Sequence, residues 1–421
     1  MYDSLKVNRF VAIDIGQLRI GMYVHLGVGW LRHPFPVNSF KITTQEQLKT
    51  LQSLQLGHIE FDPARSDPEV TEEPAADKAE PENFPQTCSL ENWRTAMQSV
   101  QKRFQSALAC FDAIQAMVPA DLPAARSSSD EMVGDYVVQL ASESDISLHL
   151  MFEGGRSSAS VHGLNTAVMS LLLGKALGMR DQALQDLGVA ALLHDLGKIP
   201  LHIPASDCAL NQMAAGTAQP TFPYVHHVGE SVALTQAMGY APAVTTAIAQ
   251  HHEWADGSGF PLGLLAADMD MGGQILALVN NYERLCNPPV ALTETTPHEA
   301  LASLYGQYRH RYAPEVLRAL VQTLGVYPPG SWVELSDGSQ GLVVCVNTRQ
   351  ALKPSVLVYK PEVAKDSQQV IDLAQQLELG IRRGLHKAQV LPKALATLQP
   401  NQHLCYFFDS SAATAAEKVI P

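Results

Sequence analysis

The sequence lacks the features that mark several classes of protein. Its six cysteines are scattered and form no C-x-x-C pair, which argues against a disulfide scaffold or a thiolate zinc site and fits a reducing compartment. No apolar run reaches the ~18 residues of a membrane-spanning helix, and the first residues do not resemble a signal peptide. We therefore expect a cytoplasmic protein that does not insert into a membrane.

Positive charge is also scarce. The chain has 29 Lys and Arg against 42 Asp and Glu, a net charge of −13. Because a phosphate backbone favours dense Lys and Arg, we expect no polymeric nucleic acid as a partner. With 421 residues, 46% of them hydrophobic, the chain is long enough for two or three domains with a large core.

The spacing of apolar residues divides the chain into four parts. Residues 1–66 predict a small α+β domain, and residues 67–89 belong to a linker rich in proline and acidic residues. Residues 90–328 have helical spacing and predict an all-α domain, whereas residues 329–421 alternate like strands and predict a β extension with a tail. The predicted fold class is mainly α, a helical bundle flanked by these smaller parts.

Individual elements follow from the same patterns. The predicted helices include 44–55, 91–117, 130–151 and one that begins at the Thr296 cap. The predicted strands are 10–14, 22–25, 59–61, 332–335, 342–346 and 356–359. His298 lies inside the predicted cap, so we expect it to have a structural role.

Histidine is unevenly distributed, with eight of 15 between His149 and His252. Four histidine-bearing sites recur about 24 to 33 residues apart, roughly one helix and one connection each: His162, His194-Asp195, His226-His227 and His251-His252. Imidazole and carboxylate are ligands for iron, manganese or zinc, and helices that converge in a bundle can bring them to one point. A pair of metals would activate a water and hold the oxygens of a phosphodiester.

Each of these residues also has a structural interpretation. A lone histidine at a helix start can be a cap or surface residue, and the His251-His252 pair could stabilise a helix C-terminus. The ordered combination of all four sites favours the metal interpretation.

The run His194-Asp-Leu-Gly-Lys198, together with His251-His-Glu-Trp-Ala-Asp-Gly-Ser-Gly-Phe-Pro261, resembles the HD-GYP family of HD-domain phosphohydrolases, whose second motif is written HHE-x-x-DGSGYP. The resemblance runs from about Ser158 to Val326. Residues 7–66 resemble the N-terminal domain of unknown function that often precedes such modules, through Gly21-Met-Tyr-Val, Trp30 and His33-Pro-Phe.

The resemblance implies a bundle that holds two, or as many as three, divalent metal ions. Iron and manganese are the metals that it favours. It implies hydrolysis of cyclic di-GMP to the linear dinucleotide or GMP by a metal-activated hydroxide, in bacterial second-messenger signalling. The implied metal ligands are His162, His194, Asp195, His227, His251, His252 and Asn280. His227 is preferred to His226 because His227-Val-x-x-Ser231 follows the family spacing.

Other residues carry implied roles as well. His194, Asp195 and Lys198 would be catalytic, with Lys198 on a phosphate or the attacking hydroxide. Gly257, Gly259, Phe260 and Pro261 would shape a loop on the substrate, and Asp256 would order that loop. The domain order suggests protein partners for the N-terminal domain.

The chain also departs from the family. Phe260 replaces the family tyrosine, Gln274 stands at an arginine position, and Asn280 stands where an aspartate ligand is expected. The stretch Leu285–Pro289 lacks an arginine found in many members, which would grip the substrate phosphate. An uncharged ligand should weaken one metal position unless a neighbour such as Glu283 replaces it.

Three functions therefore remain open. The first is a cyclic di-GMP phosphodiesterase. The second is a degenerate module that binds cyclic di-GMP or a protein partner without turnover. The third is a hydrolase of another nucleotide, against which the Asp256–Pro261 loop argues by resemblance.

Overall fold

The computed structural model describes most of the chain. The described residues are 11–27, 39–53, 59–63, 65–67, 87–118, 120–142, 145–151, 158–203, 222–288, 295–376, 378–398 and 403–410. Most of the predicted linker, together with Trp30 and His33-Pro-Phe, lies outside them. Within these ranges, no helix combines the length and the apolar character that crossing a membrane requires.

Helices and strands are numbered here in chain order. The helices are α1 (Gln45–Ser53), α2 (Leu90–Ala96), α3 (Gln98–Met117), α4 (Leu122–Ser142), α5 (Ser158–Ala176), α6 (Asp181–Leu193), α7 (Phe222–Ala237), α8 (Pro242–Gln250), α9 (Met271–Cys286), α10 (Pro297–Gly306), α11 (Pro314–Leu324) and α12 (Pro392–Leu398). The strands are β1 (Val11–Ile13), β2 (Tyr23–His25), β3 (Ser39–Lys41), β4 (Ile59–Asp62), β5 (Thr87–Ser89), β6 (Ile146–Met151), β7 (Trp332–Leu335), β8 (Gln340–Asn347), β9 (Ser355–Val358), β10 (Gln369–Asp372), β11 (Ile381–Leu385) and β12 (Cys405–Ser410).

The N-terminal part is a four-stranded antiparallel sheet with one helix. Its strand order is β1-β4-β2-β3, and its core joins Leu48 and Leu51 of α1 to Val24 and Ile59 of the sheet. The predicted α+β character is confirmed. Strand β3 was not predicted, because its three residues, Ser-Phe-Lys, are too few to establish an alternating pattern.

The bundle is centred on helices that are apolar on nearly every side. Helix α5 packs between α6 and α9, and α8 packs against α6, α7 and α9. Leu164, Val168 and Leu171 of α5 are each fully buried. A helix that is buried on nearly all sides lies in the middle of its domain, so the neighbouring helices surround the start of α5.

The larger sheet is shared between the helical and C-terminal parts. Its strands run β11-β7-β8-β9-β10-β5, while β6 pairs with β8 on one side and β12 on the other. Strands β5 and β6 come from before and within the helical region. The C-terminal β region is therefore fastened to the bundle through hydrogen bonds of the backbone.

Two predicted helices need correction. The helix predicted over 130–151 ends at Ser142, and Ile146–Met151 forms β6 instead, because its backbone groups pair with two neighbouring strands. The helix predicted over 91–117 is divided at Met97, whose φ and ψ are −90° and 2°. Apolar spacing alone cannot separate a short buried strand from a buried helix.

His149 of β6 is buried in the shared sheet, with its Nε2 4.0 Å from Cys345 Sγ. Burial, reinforced by the charge of Arg103, lowers the pKa of His149 from 6.5 to about 4. Between these two values the unfolded chain binds more protons than the folded chain does. The free energy of unfolding must therefore fall as the pH is lowered through this window.

We predict that His149 accounts for about 3 kcal/mol of this acid destabilisation. In chelator-treated protein, urea unfolding from pH 7 to pH 4 should show a shallower loss of stability for His149→Leu than for wild type. His202→Asn is the control, since His202 is exposed and has a positive φ that asparagine tolerates. Equal pH slopes for His149→Leu and wild type would refute the prediction.

Candidate metal centre

Six of the predicted ligands meet in the bundle. They form two groups, His162 with His194 and Asp195, and His227 with His251 and His252, and the ligand atoms of each group lie within 4.8 Å of one another. His162 comes from the first turns of α5 and His227 from α7. His194 and His251 each follow the last residue of a helix, so the chain turns there and directs Asp195 and His252 to the same place.

The imidazoles face one another through Nε2. This atom of His162 lies 3.1 Å from Nε2 of His194, and Nε2 of His227 lies 3.3 Å from Nε2 of both His251 and His252. All five rings are at most 2% exposed. Each ring therefore presents a nitrogen to a shared interior point rather than to solvent.

The protons of these rings are fixed on the other nitrogen. A carbonyl or carboxylate oxygen only accepts hydrogen bonds, so an Nδ1 beside one must carry the single proton of a neutral imidazole. Four rings are in this position: His162 against Glu283, His194 against Ala191, His227 against Tyr224 and His251 against Ile248. Their Nε2 atoms consequently present lone pairs.

A second proton on these rings is disfavoured. Burial lowers the pKa of His194 to about 3 and holds the pKa of His251 and His252 well below 6.5. Burial likewise lowers the pKa of His162 and His227. Unprotonated nitrogens about 3 Å apart repel each other, and a shared cation would turn that repulsion into coordination.

The carboxylate of Asp195 lies between the two groups. Its Oδ2 is 3.5 Å from His162 Nε2 and 3.6 Å from His194 Nε2, whereas its Oδ1 is 3.3 Å from His227 Nε2 and 3.9 Å from His251 Nε2. With the proton of His227 on Nδ1, Oδ1 is buried without a hydrogen-bond donor. One oxygen toward each group is the arrangement of a bridging ligand, so the donor set fits two divalent metals.

Two cations accompany Asp195. Lys198 Nζ lies 2.6 Å and an Arg284 guanidinium nitrogen 2.9 Å from Asp195 Oδ2. Burial alone would raise the pKa of Asp195, but the charge of Lys198 lowers it well below the usual value. The aspartate is therefore ionised, as a metal ligand must be.

A pocket opens beside these charges. Asp195, Lys198 and Arg284 form its polar side. The rest of its wall is mainly apolar, with Phe111, Gln115, Ala159, Gly163, Leu192, Leu196, Ile199 and Ile203. Such a pocket can hold a flat apolar ring next to an anionic group.

The Asp256–Pro261 loop lies against the second histidine group. Phe260 stacks on His252, with ring centroids 4.5 Å apart and planes at 21°. Gly259 approaches the backbone so closely that a Cβ would come within 2.3 Å of Trp254 N, and Gly257 has a φ of +78°. Pro261 follows Phe260 through a cis peptide bond. Phe260 therefore borders the centre, whereas the predicted contact of the four loop residues with substrate stays a prediction.

Glu253 and Asp256 hold this loop. The Glu253 carboxylate accepts hydrogen bonds from the backbone N–H groups of Leu262, Gly263 and Leu264 at 2.6, 3.2 and 2.9 Å. Asp256 Oδ1 accepts one from Ser258 N at 3.0 Å, in keeping with the ordering role predicted for it.

The remaining predicted residues have distinct positions. Asn280 is buried on α9, and its role as a metal ligand stays a prediction. His226 is exposed, unlike the buried His227. His298 is buried, and its Nδ1 donates to Val326 O at 2.7 Å, in agreement with a structural role. Gln274 donates to the carbonyls of Ala266 and Met269 and so fastens the chain before α9.

Two residues beside the centre differ from the prediction: Arg284 was not predicted, and Glu283 was named as a candidate substitute ligand. The arginine sought in Leu285–Pro289 is absent there, but Arg284, one residue earlier, reaches the centre. A cation within the apolar helix Ile275–Cys286 was the available signal, because buried arginine normally has a charged partner. Glu283 orients His162 from the Nδ1 side and is not placed as a substitute ligand.

The chain is similar to known families and proteins. Residues 143–316 match the HD domain family, and residues 11–126 match the family described as domain of unknown function DUF3391. The chain is 25% identical over 376 residues to a cyclic di-GMP phosphodiesterase of Pseudomonas aeruginosa, covering 86% of this chain and 89% of that protein.

Two further similar proteins match a shorter part of the chain or have a lower sequence identity. A 3′3′-cGAMP-specific phosphodiesterase of Vibrio cholerae is 28% identical over 143 residues, or 34% of this chain and 31% of that one. A solved HD-GYP-like protein of Bdellovibrio bacteriovorus is 18% identical, with a TM-score of 0.41, covering 74% of this chain and 98% of that one.

The adjacent His226 and His227 provide a matched test of the centre. We predict that His227→Ala lowers the metal content of purified protein to about half of the wild-type value, because one group loses a ligand. His226→Ala should keep the full content, since that side chain is exposed. Elemental analysis after dialysis measures both, and equal metal loss in the two variants would contradict the assignment.

Proposed function

This chain carries an HD domain preceded by a DUF3391 domain, and we propose that it is a metal-dependent phosphodiesterase that hydrolyses cyclic di-GMP. The observation that carries the proposal is the Asp195 carboxylate with one oxygen toward each histidine group. Two divalent metals held by these groups and by Asp195 would suit a phosphodiester, whose attacking and leaving oxygens both need stabilisation.

The two groups would hold two divalent metals. His162 and His194 would bind one, His227, His251 and His252 would bind the other, and Asp195 would bridge them. Imidazole and carboxylate donors suit iron or manganese. When bound, the metals supply activation of a water and neutralisation of charge on the phosphodiester. Asn280, on α9, is the candidate for a further, uncharged ligand.

The chain's own residues bind and orient the substrate. The Lys198 ammonium and the Arg284 guanidinium stand at the mouth of the apolar pocket, where they would bind phosphate oxygens. A fork of N–H donors such as Arg284 suits two oxygens of one phosphate. A guanine ring would lie among Phe111, Leu192 and Ile199, while Phe260 keeps water from the face of His252.

The local charge explains how an acidic protein would attract an anionic substrate. The chain has a net charge of −13 and would repel cyclic di-GMP at long range. At the centre, Lys198 and Arg284 balance the carboxylates of Asp195 and Glu283, and bound divalent metals would make the local field positive. The relevant field is therefore that of the pocket and not that of the whole chain.

The alternative of a non-catalytic module rests on Asn280. Against it stand six ligand side chains in mutually facing positions and two cations beside them. A module that only bound the dinucleotide would need the phosphate-binding cations and the apolar pocket, but it would not need two groups of unprotonated imidazoles. The structure therefore favours hydrolysis.

Cleavage of cyclic di-GMP by purified, metal-loaded protein is the direct test. The protein is kept anaerobic and reduced, and the linear dinucleotide and GMP are separated by chromatography, with 3′3′-cyclic GMP-AMP as a comparison substrate. We predict turnover by wild type and none by the double variant His194→Ala, Asp195→Ala, which loses the bridge. Unchanged turnover in that variant, with wild-type helicity by circular dichroism, would refute the proposal.

The substitution Asn280→Asp distinguishes an active phosphodiesterase from a non-catalytic module that has lost one metal ligand. The non-catalytic alternative would be favoured if wild type turned over substrate at the background rate and Asn280→Asp gained much metal and turnover. Turnover by wild type that this substitution changes less than about tenfold, a difference of 1.4 kcal/mol, would support the enzyme.

Arg284 gives a separate prediction. Losing a charged hydrogen bond to phosphate costs about 1.5–3 kcal/mol, so Arg284→Gln should raise KM by about tenfold or more while two metals stay bound. Arg318→Gln is the control, because Arg318 is exposed on α11. Steady-state kinetics with metal analysis measures both, and an unchanged KM for Arg284→Gln would exclude phosphate binding by this residue.

A further inference from the structure

A hydrogen-bonded network joins the metal centre to the C-terminal segment. Its members are the side chains of Asn165 in α5, Glu283 in α9 and Asn287, which follows α9, together with the backbone of Leu404 and Tyr406. We call this network the C-terminal clamp. Residues 403–410 lie outside the part of the chain that matches the HD domain family, which ends at residue 316.

The two asparagines have the same pattern of bonds. The amide nitrogen of each donates to Glu283 Oε1, at 3.0 Å from Asn165 and 2.8 Å from Asn287. The same nitrogens donate to Leu404 O, both at 2.9 Å. An amide NH₂ has two protons, so each asparagine uses one on the glutamate and the other on the C-terminal backbone.

The amide oxygens complete the clamp. Asn287 Oδ1 accepts from Leu404 N–H at 2.7 Å, and Asn165 Oδ1 accepts from Tyr406 N–H at 2.8 Å. The positions of both amides are thus fixed by the backbone where β12 begins. Without that backbone, each buried amide would lose two of its three partners, which is costly inside a protein.

Glu283 transmits this constraint to a ligand of the centre. Its Oε1 accepts from both asparagines, and its Oε2 accepts from His162 Nδ1. Glu283 is 1% exposed, so water cannot replace these donors. The bond to His162 fixes the tautomer whose Nε2 points at His194 and Asp195, and such carboxylate–histidine pairs strengthen metal binding.

We propose that Asn165, Asn287 and Glu283 are positioning residues through which the C-terminal strand sets the affinity of the His162-containing metal position. The proposal rests on the proposed function in so far as His162 is a metal ligand. Within the described part of the chain, the second group, His227 with His251 and His252, makes no hydrogen bond to the clamp and serves as an internal reference.

The clamp also explains why a strand after the HD domain is packed into the bundle. Strand β12 pairs with β6 along its whole length, and Tyr406, Phe407 and Phe408 are at most 1% exposed. Removing the C-terminal segment would therefore unfold part of the core, so point variants are needed to separate positioning from stability.

The experiment measures metal binding to each position in Asn287→Ala, with Asn165→Ala as a second variant. Manganese is titrated into chelator-treated protein in an isothermal titration calorimeter. The heat of binding should show two binding events in wild type. In the variants we predict that one event weakens about 10- to 100-fold, as for other partners of ligating histidines, while the other is unchanged. Circular dichroism shows whether each variant is folded.

Asp409→Asn is the matched control. Asp409 lies on the same strand and makes an ion pair with Arg103 at 2.8 Å, away from the clamp. This variant should lose thermal stability and keep both binding events. Equal weakening of metal binding in Asp409→Asn would mean that strand stability, rather than the clamp, sets the affinity, and would overturn the inference.

A double-mutant cycle tests the route through Glu283. Glu283→Gln should weaken the same binding event, and the combination with Asn287→Ala should weaken it by no more than the larger single effect, because both changes act on His162 along one path. Additive losses would contradict the proposal, as would wild-type affinity in folded variants. If wild type itself binds no metal, the proposed function fails, whereas two wild-type events that the variants leave unchanged refute only the clamp.

Discussion

The crowding of unprotonated imidazole nitrogens around one half-buried aspartate is the constraint on which the remaining features of the site depend. Four rings have their proton on Nδ1, so the Nε2 atoms that meet around Asp195 carry lone pairs. These Nε2 atoms are about 3 Å apart. Burial disfavours a second proton on each ring, and the site is therefore unfavourable without a cation. The surrounding helices, which are apolar on almost all sides, provide the packing energy that holds it together.

Much of this arrangement was accessible from sequence. Ligands at intervals of one helix and one turn predicted convergence in a bundle, because adjacent antiparallel helices return to the same end. The choice of His227 over His226 came from the resemblance to the family motif, and burial agrees with it. What spacing could not provide was the partner of each Nδ1, since a backbone carbonyl near a histidine leaves no trace in the side-chain pattern.

The residues that were missed share a different property. Arg284 and Asn287 act across the bundle, on Asp195 and on Leu404, which are 89 and 117 residues away in the chain. Strand β6 was mistaken for helix because its pairing partners β8 and β12 are even more distant in sequence. Periodicity reports the face that a segment buries, but not the segment that covers that face.

The departures from the family motif can now be judged by what surrounds them. Gln274, at the arginine position, donates to two backbone carbonyls and so serves the loop rather than the substrate. Arg284 places a guanidinium beside Asp195, and a cation at that point compensates in part for the arginine absent from Leu285–Pro289. Among these departures, only the carboxylate missing at Asn280 has no substitute. The carboxylate of Glu283 already accepts hydrogen bonds from His162, Asn165 and Asn287. The acidic residue after Tyr282 thus orients a ligand, and the charge of the centre is left to Asp195, which makes that single aspartate the residue least tolerant of change.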